Sequence, residues 1–219
     1  MNFLEICQRV NTLSGLQGSF SDVSSTKDLQ KNIAEGVRQG WISLQNYRKD
    51  WSFMIKRLQS FSSTQGQEVY TVAQVFSALP VGERDLGNYR AEGFYYNNRP
   101  VKKLRIGQYP LIDNTREGAP SWWIVNPSNN DLYINLPDAS YTYDIYYKRK
   151  VQTLTENTDE PLIPEQHHNI LIYLGLMNFA VYVGNSEMYA KNDEEYKKEL
   201  GTLLREFIPS KDVTQRPIV

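Results

Sequence analysis

The sequence predicts an α+β protein whose helices gather at the two ends of the chain and whose antiparallel sheet lies between them. Three observations carry this. Both ends place apolar residues at the i, i+3, i+4, i+7 spacing of an amphipathic helix, the middle alternates with period two, and the first change of period falls just after Asp50. Neither terminal helix pair can cover both of its own apolar stripes, so the simplest packing joins the pairs as a four-helix bundle with the sheet as an inserted domain. The expected divisions are residues 1–50 for the N-terminal helix pair, 51–152 for the antiparallel β domain, 153–209 for the C-terminal helix pair and 210–219 for an extended tail.

Taken in order, Asn2 is placed to cap a first helix with Phe3, Leu4, Ile6, Cys7, Val10 and Leu13 on its apolar face, stopped by Gly15. A polar loop over 15–25 leads to Thr26, the expected cap of a long second helix. Its stripe runs through Leu29, Ile33, Val37, Trp41 and Leu44 to Tyr47. Gly36 and Gly40 sit beside that stripe, either to admit another backbone or as merely tolerated glycines.

After Asp50, Trp51, Phe53 and Ile55 alternate with Ser52, Met54 and Lys56 as in a strand. Thr64-Gln65-Gly66 then reads as the turn of a hairpin between a Phe61 strand and residues 68–72. Residues 78–93 show no clear pattern. A second hairpin is expected from Phe94-Tyr95-Tyr96 through Asn97-Asn98 to residues 101–106, followed by a loop over 108–119 rich in Pro, Asp, Asn and Gly. Strands resume at 121–125 and 132–136. The clearest strand has Tyr141, Tyr143, Ile145 and Tyr147 on one face and Thr142, Asp144, Tyr146 and Lys148 on the other.

Of the two C-terminal helices, the first spans 165–183 with a buried stripe of Ile170, Leu171, Leu174, Met177, Ala180 and Val181. It breaks at Gly184-Asn185-Ser186. The second sets Met188, Tyr189, Tyr196, Leu200, Leu203, Leu204 and Phe207 opposite Asp193, Glu194, Lys197 and Lys198, which form opposite-charge pairs at i, i+4. Residues 210–219 lack periodicity and are expected to order against a partner.

Composition narrows the function. With 24 basic against 25 acidic side chains, no surface wraps DNA or anionic lipid by net charge alone. Cys7 is the sole cysteine, which rules out an intrachain disulfide or a cysteine-based metal site and suits a reducing compartment; its apolar neighbours mark it as core. The N-terminus reads without a targeting signal, so the chain is expected to be cytoplasmic when made. The apolar stretch 170–183, broken by Tyr173, Gly175, Asn178 and Tyr182, is too short to span a membrane. The excess of aromatic residues, 15 Tyr and 4 Trp, points to broad contact surfaces.

No pattern of residues marks a catalytic site. His167-His168 beside Glu165 are adjacent on a helix and point about 100° apart, so they are expected to be exposed or capping histidines and not joint metal ligands. Asp159-Glu160 with Glu156 reads as a solvated acidic loop in preference to a loose cation site. No phosphate loop, nucleophile elbow or zinc spacing occurs, and no metal or cofactor is expected. The pairs Tyr95-Tyr96, Trp122-Trp123 and Tyr146-Tyr147 suit strands packed on both faces; the alternative is a sugar-stacking platform, which would make the protein a carbohydrate-binding or tail-associated recognition module. The basic groups Arg99, Lys102, Lys103 and Arg105, and Lys148-Arg149-Lys150, are expected at solvated strand ends or in salt bridges to another subunit, in preference to contacts with nucleic acid.

The order of these features resembles the head-to-tail adaptor proteins of tailed bacteriophages, also called head completion or portal-tail adaptor proteins. The resemblance rests on the opening helix Asn2-Phe3-Leu4-Glu5-Ile6-Cys7-Gln8-Arg9-Val10, on Trp41-Ile42-Ser43-Leu44-Gln45-Asn46-Tyr47-Arg48 with Asp50-Trp51-Ser52-Phe53-Met54, and on Gly66-Gln67-Glu68-Val69-Tyr70. It continues through Gly118-Ala119-Pro120-Ser121-Trp122, the Tyr146-Tyr147-Lys148-Arg149 strand end, Pro161 to Pro164 and Glu195-Tyr196-Lys197-Lys198-Glu199-Leu200. It covers nearly the whole chain, does not align over 78–93 and supplies no catalytic residues.

The resemblance implies a virion structural protein of the phage neck, assembled in the host cytoplasm without enzymatic activity or a membrane anchor. It implies a ring of about twelve copies built on one repeated heterologous interface, with the portal protein and a tail or nozzle protein as partners and DNA only passing through the channel. The residues expected at the subunit or partner interfaces are Tyr95, Tyr96, Trp122, Trp123, Tyr146, Tyr189, Tyr196 and Arg205, with Lys211, Arg216, Ile218 and Val219 in the tail.

Overall fold

The computed structural model describes residues 1–25, 27–48, 51–77, 90–111, 117–129 and 131–208. It is an α+β protein with helices at both ends of the chain and sheets in the middle. The chain divides into a helical unit, residues 1–53 with 151–219, and a sheet unit, residues 54–150. The expected cap Thr26 and the expected tail 210–219 lie outside the described residues, as does most of the segment 78–93.

In the helical unit, α1 (Phe3–Leu13) starts where the sequence places it. Asn2 accepts from the Glu5 amide while the Glu5 carboxylate takes the Asn2 amide, a reciprocal cap that satisfies both backbone donors. Two more N-terminal amides are satisfied from far along the chain: Phe3 N donates to Asp159 O at 2.7 Å and Leu4 N to Asn157 O at 3.2 Å. Phe3, Ile6, Cys7 and Val10 are buried, whereas Leu13, expected on the same stripe, is exposed at the helix end. The second helix, α2 (Asp28–Tyr47), buries Ile33, Val37, Trp41 and Leu44 but leaves Leu29 and Tyr47 exposed.

The glycines of α2 do admit another backbone. A Cβ on Gly40 would stand 2.8 Å from Leu174 Cβ and one on Gly36 3.0 Å from Asn178 Cβ, while Asn178 Nδ2 donates to Gly36 O at 2.8 Å. The facing helix, α4 (Asn169–Val183), carries Gly175 against Val37 and Val10 in the same way. It starts later than expected because residues 165–167 form a 3-10 turn. Gly184 closes α4 with φ +71°, Asn185 caps the next helix by accepting from Met188 N, and α5 (Ser186–Phe207) follows. The expected Lys197–Asp193 and Lys198–Glu194 pairs line its outer face.

Residues 52–54 are a 3-10 turn and not the predicted strand start. The alternation there has another cause: Trp51 and Phe53 stack at 5.2 Å, Phe53 lies 6.3 Å from Trp41, and Trp51 Nε1 donates to Leu44 O at 3.0 Å, so these rings belong to the helical core. The returning segment at Gln152 docks through a glutamine. Gln45, 1 % exposed, accepts from Gln152 N at 2.7 Å and donates to Gln152 O at 2.8 Å, so its amide pairs with the backbone as a strand neighbour would.

The sheet unit holds two four-stranded sheets in place of the single sheet expected. One orders as β1 (Ile55–Ser62), β8 (Thr142–Lys148), β3 (Arg90–Tyr96) and β4 (Arg99–Pro100); the other as β2 (Val69–Tyr70), β7 (Leu132–Ile134), β6 (Trp122–Val125) and β5 (Lys102–Lys103). The predicted hairpin between the Phe61 strand and residues 68–72 does not form. Gly66 takes φ +73° and Gln67 N donates to Thr64 O, as turn chemistry requires, but the chain then crosses to the other sheet. Residues after Tyr70 make the short helix α3 (Val72–Val75), capped reciprocally by Thr71 and Gln74. The Asn97-Asn98 turn does form, with both residues at positive φ (+49° and +59°), the geometry of a tight two-residue turn, but the chain returns through Arg99–Pro100 and not through the expected strand 101–106, of which Lys102–Lys103 pairs in the other sheet. One pairing departs from the antiparallel expectation, since β5 runs parallel to β6.

The alternation of β8 holds: Tyr143, Ile145 and Tyr147 point into a core shared with Phe61, Tyr70, Phe94, Trp123, Leu132 and Ile134. Stacked and edge-on rings fill it, with Phe94 to Tyr143 centroids at 4.4 Å and Phe61 to Tyr70 at 5.0 Å.

Candidate subunit interface

α4 is apolar around its whole circumference, a composition suited to burial on all sides. α1, α2 and α5 pack against it. Their cover stops before its last turn, where Val181 is 68 % exposed and Tyr182 and Val183 lie beside it in solvent. Val181 was expected on the buried stripe. The buried residues of α4 are Ile170, Leu171, Ile172, Gly175, Leu176, Phe179 and Ala180, which leaves Val181 on another face together with the less buried Leu174, Met177 and Asn178, and the helix then reverses at Gly184. Across that reversal Tyr189 is exposed as well. Close by, Leu13, Tyr173, Leu176 and Met188 line an open cleft of about 530 Å³ whose rim carries Glu187, Lys191 and Glu195. The elbow between α4 and α5 therefore combines uncovered apolar area with a charged rim, the build of a protein contact surface.

The other expected interface residues fall in different settings. In the sheet unit Trp123 is 1 % exposed, donates from Nε1 to Val101 O at 3.0 Å and carries the Lys103 ammonium 4.7 Å from its ring; Trp122 is 9 % exposed. Both indoles are interior to the subunit, so neither presents a face for stacking. Tyr95 and Tyr146 are half-buried and meet edge-on at 5.3 Å, and Tyr96 packs on Tyr141 and Tyr143. In α5, Tyr196 is half-buried, with its hydroxyl pKa raised mainly by burial, and Arg205 is exposed and donates to Thr202 Oγ1. Lys211, Arg216, Ile218 and Val219 lie outside the described residues. Val181, Tyr182, Val183 and Leu13 are the additions that the structure makes. For Val181, Tyr182 and Val183 the sequence signal is the run of three large apolar residues directly before a helix-ending glycine, which no single stripe can bury.

A family model described as SU10 adaptor protein matches residues 1–219, the full length of the sequence. The chain belongs to the SU10 adaptor protein family. That membership supports a structural adaptor of a bacteriophage and implies a protein without enzymatic activity. Curated proteins include no significant match to the chain.

The polar clusters of this SU10-family adaptor serve its fold. Asp159 Oδ2 accepts from the amides of Thr155 and Glu156 at 2.6 and 2.9 Å and from Thr155 Oγ1; burial pushes its carboxyl up, but these donors outweigh it and hold the pKa below the usual value. The acidic loop is thus a bonded turn. The two histidines, expected to be exposed or capping, are both buried. His168 Nε2 donates to Ile163 O at 3.0 Å, and burial keeps the ring below its ordinary pKa. His167 lies between Glu199 and Glu206 on opposite sides of its ring, so the three cannot ligate one ion. Among the described residues no group of three or more His, Cys, Asp or Glu is arranged to hold a metal. Burial pushes the Cys7 thiol up to about 12, against a lowering by Arg38, which leaves it a protonated core side chain. Among the described residues no helix is long and apolar enough to cross a membrane.

Proposed function

We propose that this adaptor assembles as a ring of about twelve copies through one repeated heterologous contact, docks on the portal, continues the DNA channel through the neck and carries the tail or its nozzle. The observation that carries this reading is the uncovered apolar elbow of Val181, Tyr182, Val183 and Tyr189 on a chain that matches an adaptor family over its full length. A monomer gains nothing from exposing the end of its most apolar helix; a repeated contact removes that area from water, at about 25 cal/mol per Å². A near-neutral chain also suits a channel through which DNA slides, because few phosphates are held. Residues 210–219, with Lys211, Arg216, Ile218 and Val219, are assigned to portal docking.

The test is to mix the purified protein with portal and measure mass and ring symmetry by mass photometry and electron microscopy. Rings of about twelve that fail to form in Val181→Asp are expected; a chain that stays monomeric beside portal overturns the proposal. A carbohydrate-binding role finds no support in the placement of Trp122 and Trp123, since both indoles are inside the subunit.

A further inference from the structure

His167 is 3 % exposed and held between two carboxylates of α5, with Nδ1 3.0 Å from Glu199 Oε1 and Nε2 2.8 Å from Glu206 Oε2. A neutral imidazole owns one N–H and one lone pair, so it donates to one carboxylate and turns its lone pair on the other. Both contacts are favourable together only for the imidazolium, which donates from both nitrogens.

A second partner stands ready for the neutral ring. The Gln166 amide nitrogen lies 3.3 Å from His167 Nε2 and 3.4 Å from Glu206 Oε2, so it can donate to either atom. With Nε2 deprotonated, Gln166 donates to Nε2, and Glu206, whose side chain is 44 % exposed, turns to water.

The surroundings define what the ring senses. From α5 it meets Glu199, Glu206 and the edge of Phe207, whose ring is 5.5 Å away at 90°. Phe207 in turn packs on Phe53 at 5.8 Å and brings no charge from that side. Glu165 of the same turn faces the Met1 amino nitrogen at 3.0 Å, and His168 faces Ile163 O. Among the described residues no other charged side chain pairs with the ring. The N-terminus of α4 opposes a cation here with roughly half a unit charge, against two full carboxylate charges at contact distance.

We propose that His167, Gln166, Glu199 and Glu206 form a proton-operated latch. Protonated, it fastens the final turns of α5 to the start of α4; deprotonated, it passes His167 to Gln166 and frees Glu206 and the turn that carries it. Ile208 and residues 209–219 follow that turn directly, so the latch sets how firmly the base of the C-terminal segment is held.

The test is hydrogen exchange on the full chain at pH 5.5 and 8.5, corrected for intrinsic rates. Protection over residues 200–208 is expected to fall about tenfold at the higher pH, the usual worth of a charge-assisted hydrogen bond, with residues 188–196 unchanged. Glu206→Gln, which bonds either form of the ring, is expected to remove the difference. Ring 15N shifts should show both His167 nitrogens protonated at pH 5.5 and one at pH 8.5. Equal protection at both pH values, a pH difference undiminished in Glu206→Gln, or one unchanged protonation state at both pH values overturns the latch.

Discussion

The helical unit and the sheet unit differ in how far their large aromatic and apolar side chains are covered. In the sheet unit the rings close on one another: Phe61, Phe94, Trp123, Tyr143 and Tyr147 are all buried in one core. In the helical unit the glycines of α2 and α4 bring two backbones together, yet Val181, Tyr182, Val183, Tyr189 and Leu13 remain outside. A core that closes by itself supplies a rigid body. One that leaves apolar area over offers a surface where another chain could pack.

The sharpest way to break this contrast is Trp123→Ala. Loss of a buried indole costs about 3–5 kcal/mol, and the Val101 carbonyl is also left without its donor. If the two cores are separate, hydrogen exchange should rise through residues 54–150 while α1, α2, α4 and α5 keep their protection; an even loss throughout would show one cooperative body and erase the contrast.

A smaller effect should come from His168, confined to the helical unit. Burial holds its folded pKa below 6.5, so as pH falls through about 6.5 the unfolded chain takes up a proton that the folded chain refuses. Stability is therefore lost on the acid side of that value and is full above it. Urea midpoints at pH 7.5 and 5.5, compared between the native chain and His168→Asn, should show the extra acid loss only in the native chain.

The smallest change in stability belongs to the elbow. Tyr182→Asp alters an exposed side chain and should shift unfolding by no more than about 0.5 kcal/mol, while assembly measured by sedimentation falls sharply. A large drop in melting temperature would mean that the ring already does structural work within the subunit.

Much of this was legible in the residues. Asn2 with Glu5, Asn97-Asn98 and the alternation of β8 are local patterns, and local hydrogen bonding or pleat geometry decides them. What escaped depends on distant partners. Thr64-Gln65-Gly66 specifies a turn, but whether the next strand folds back or crosses to a second sheet is decided by Tyr133 and Leu132, about sixty residues away. Trp51 and Phe53 mimicked strand alternation because period two over three residues also fits rings drawn to one helical core. Val181 fell off the stripe because α4 is apolar all round, so periodicity could not choose its buried face, which runs through Ile172, Gly175, Leu176 and Phe179. The histidines escaped for the same reason, since Glu199 and Glu206 come within reach only once α4 and α5 have packed together.

The ladder in which Ile55 lies opposite Lys148, with Arg149 N donating to Met54 O at 2.8 Å, has a consequence for how the chain can be rebuilt. The first and last residues of the sheet unit are neighbours, one strand spacing apart. A tight turn can bridge that gap. The sheet unit is in this sense a cassette whose two ends lie side by side, so strands can be lengthened or shortened between them without parting those ends.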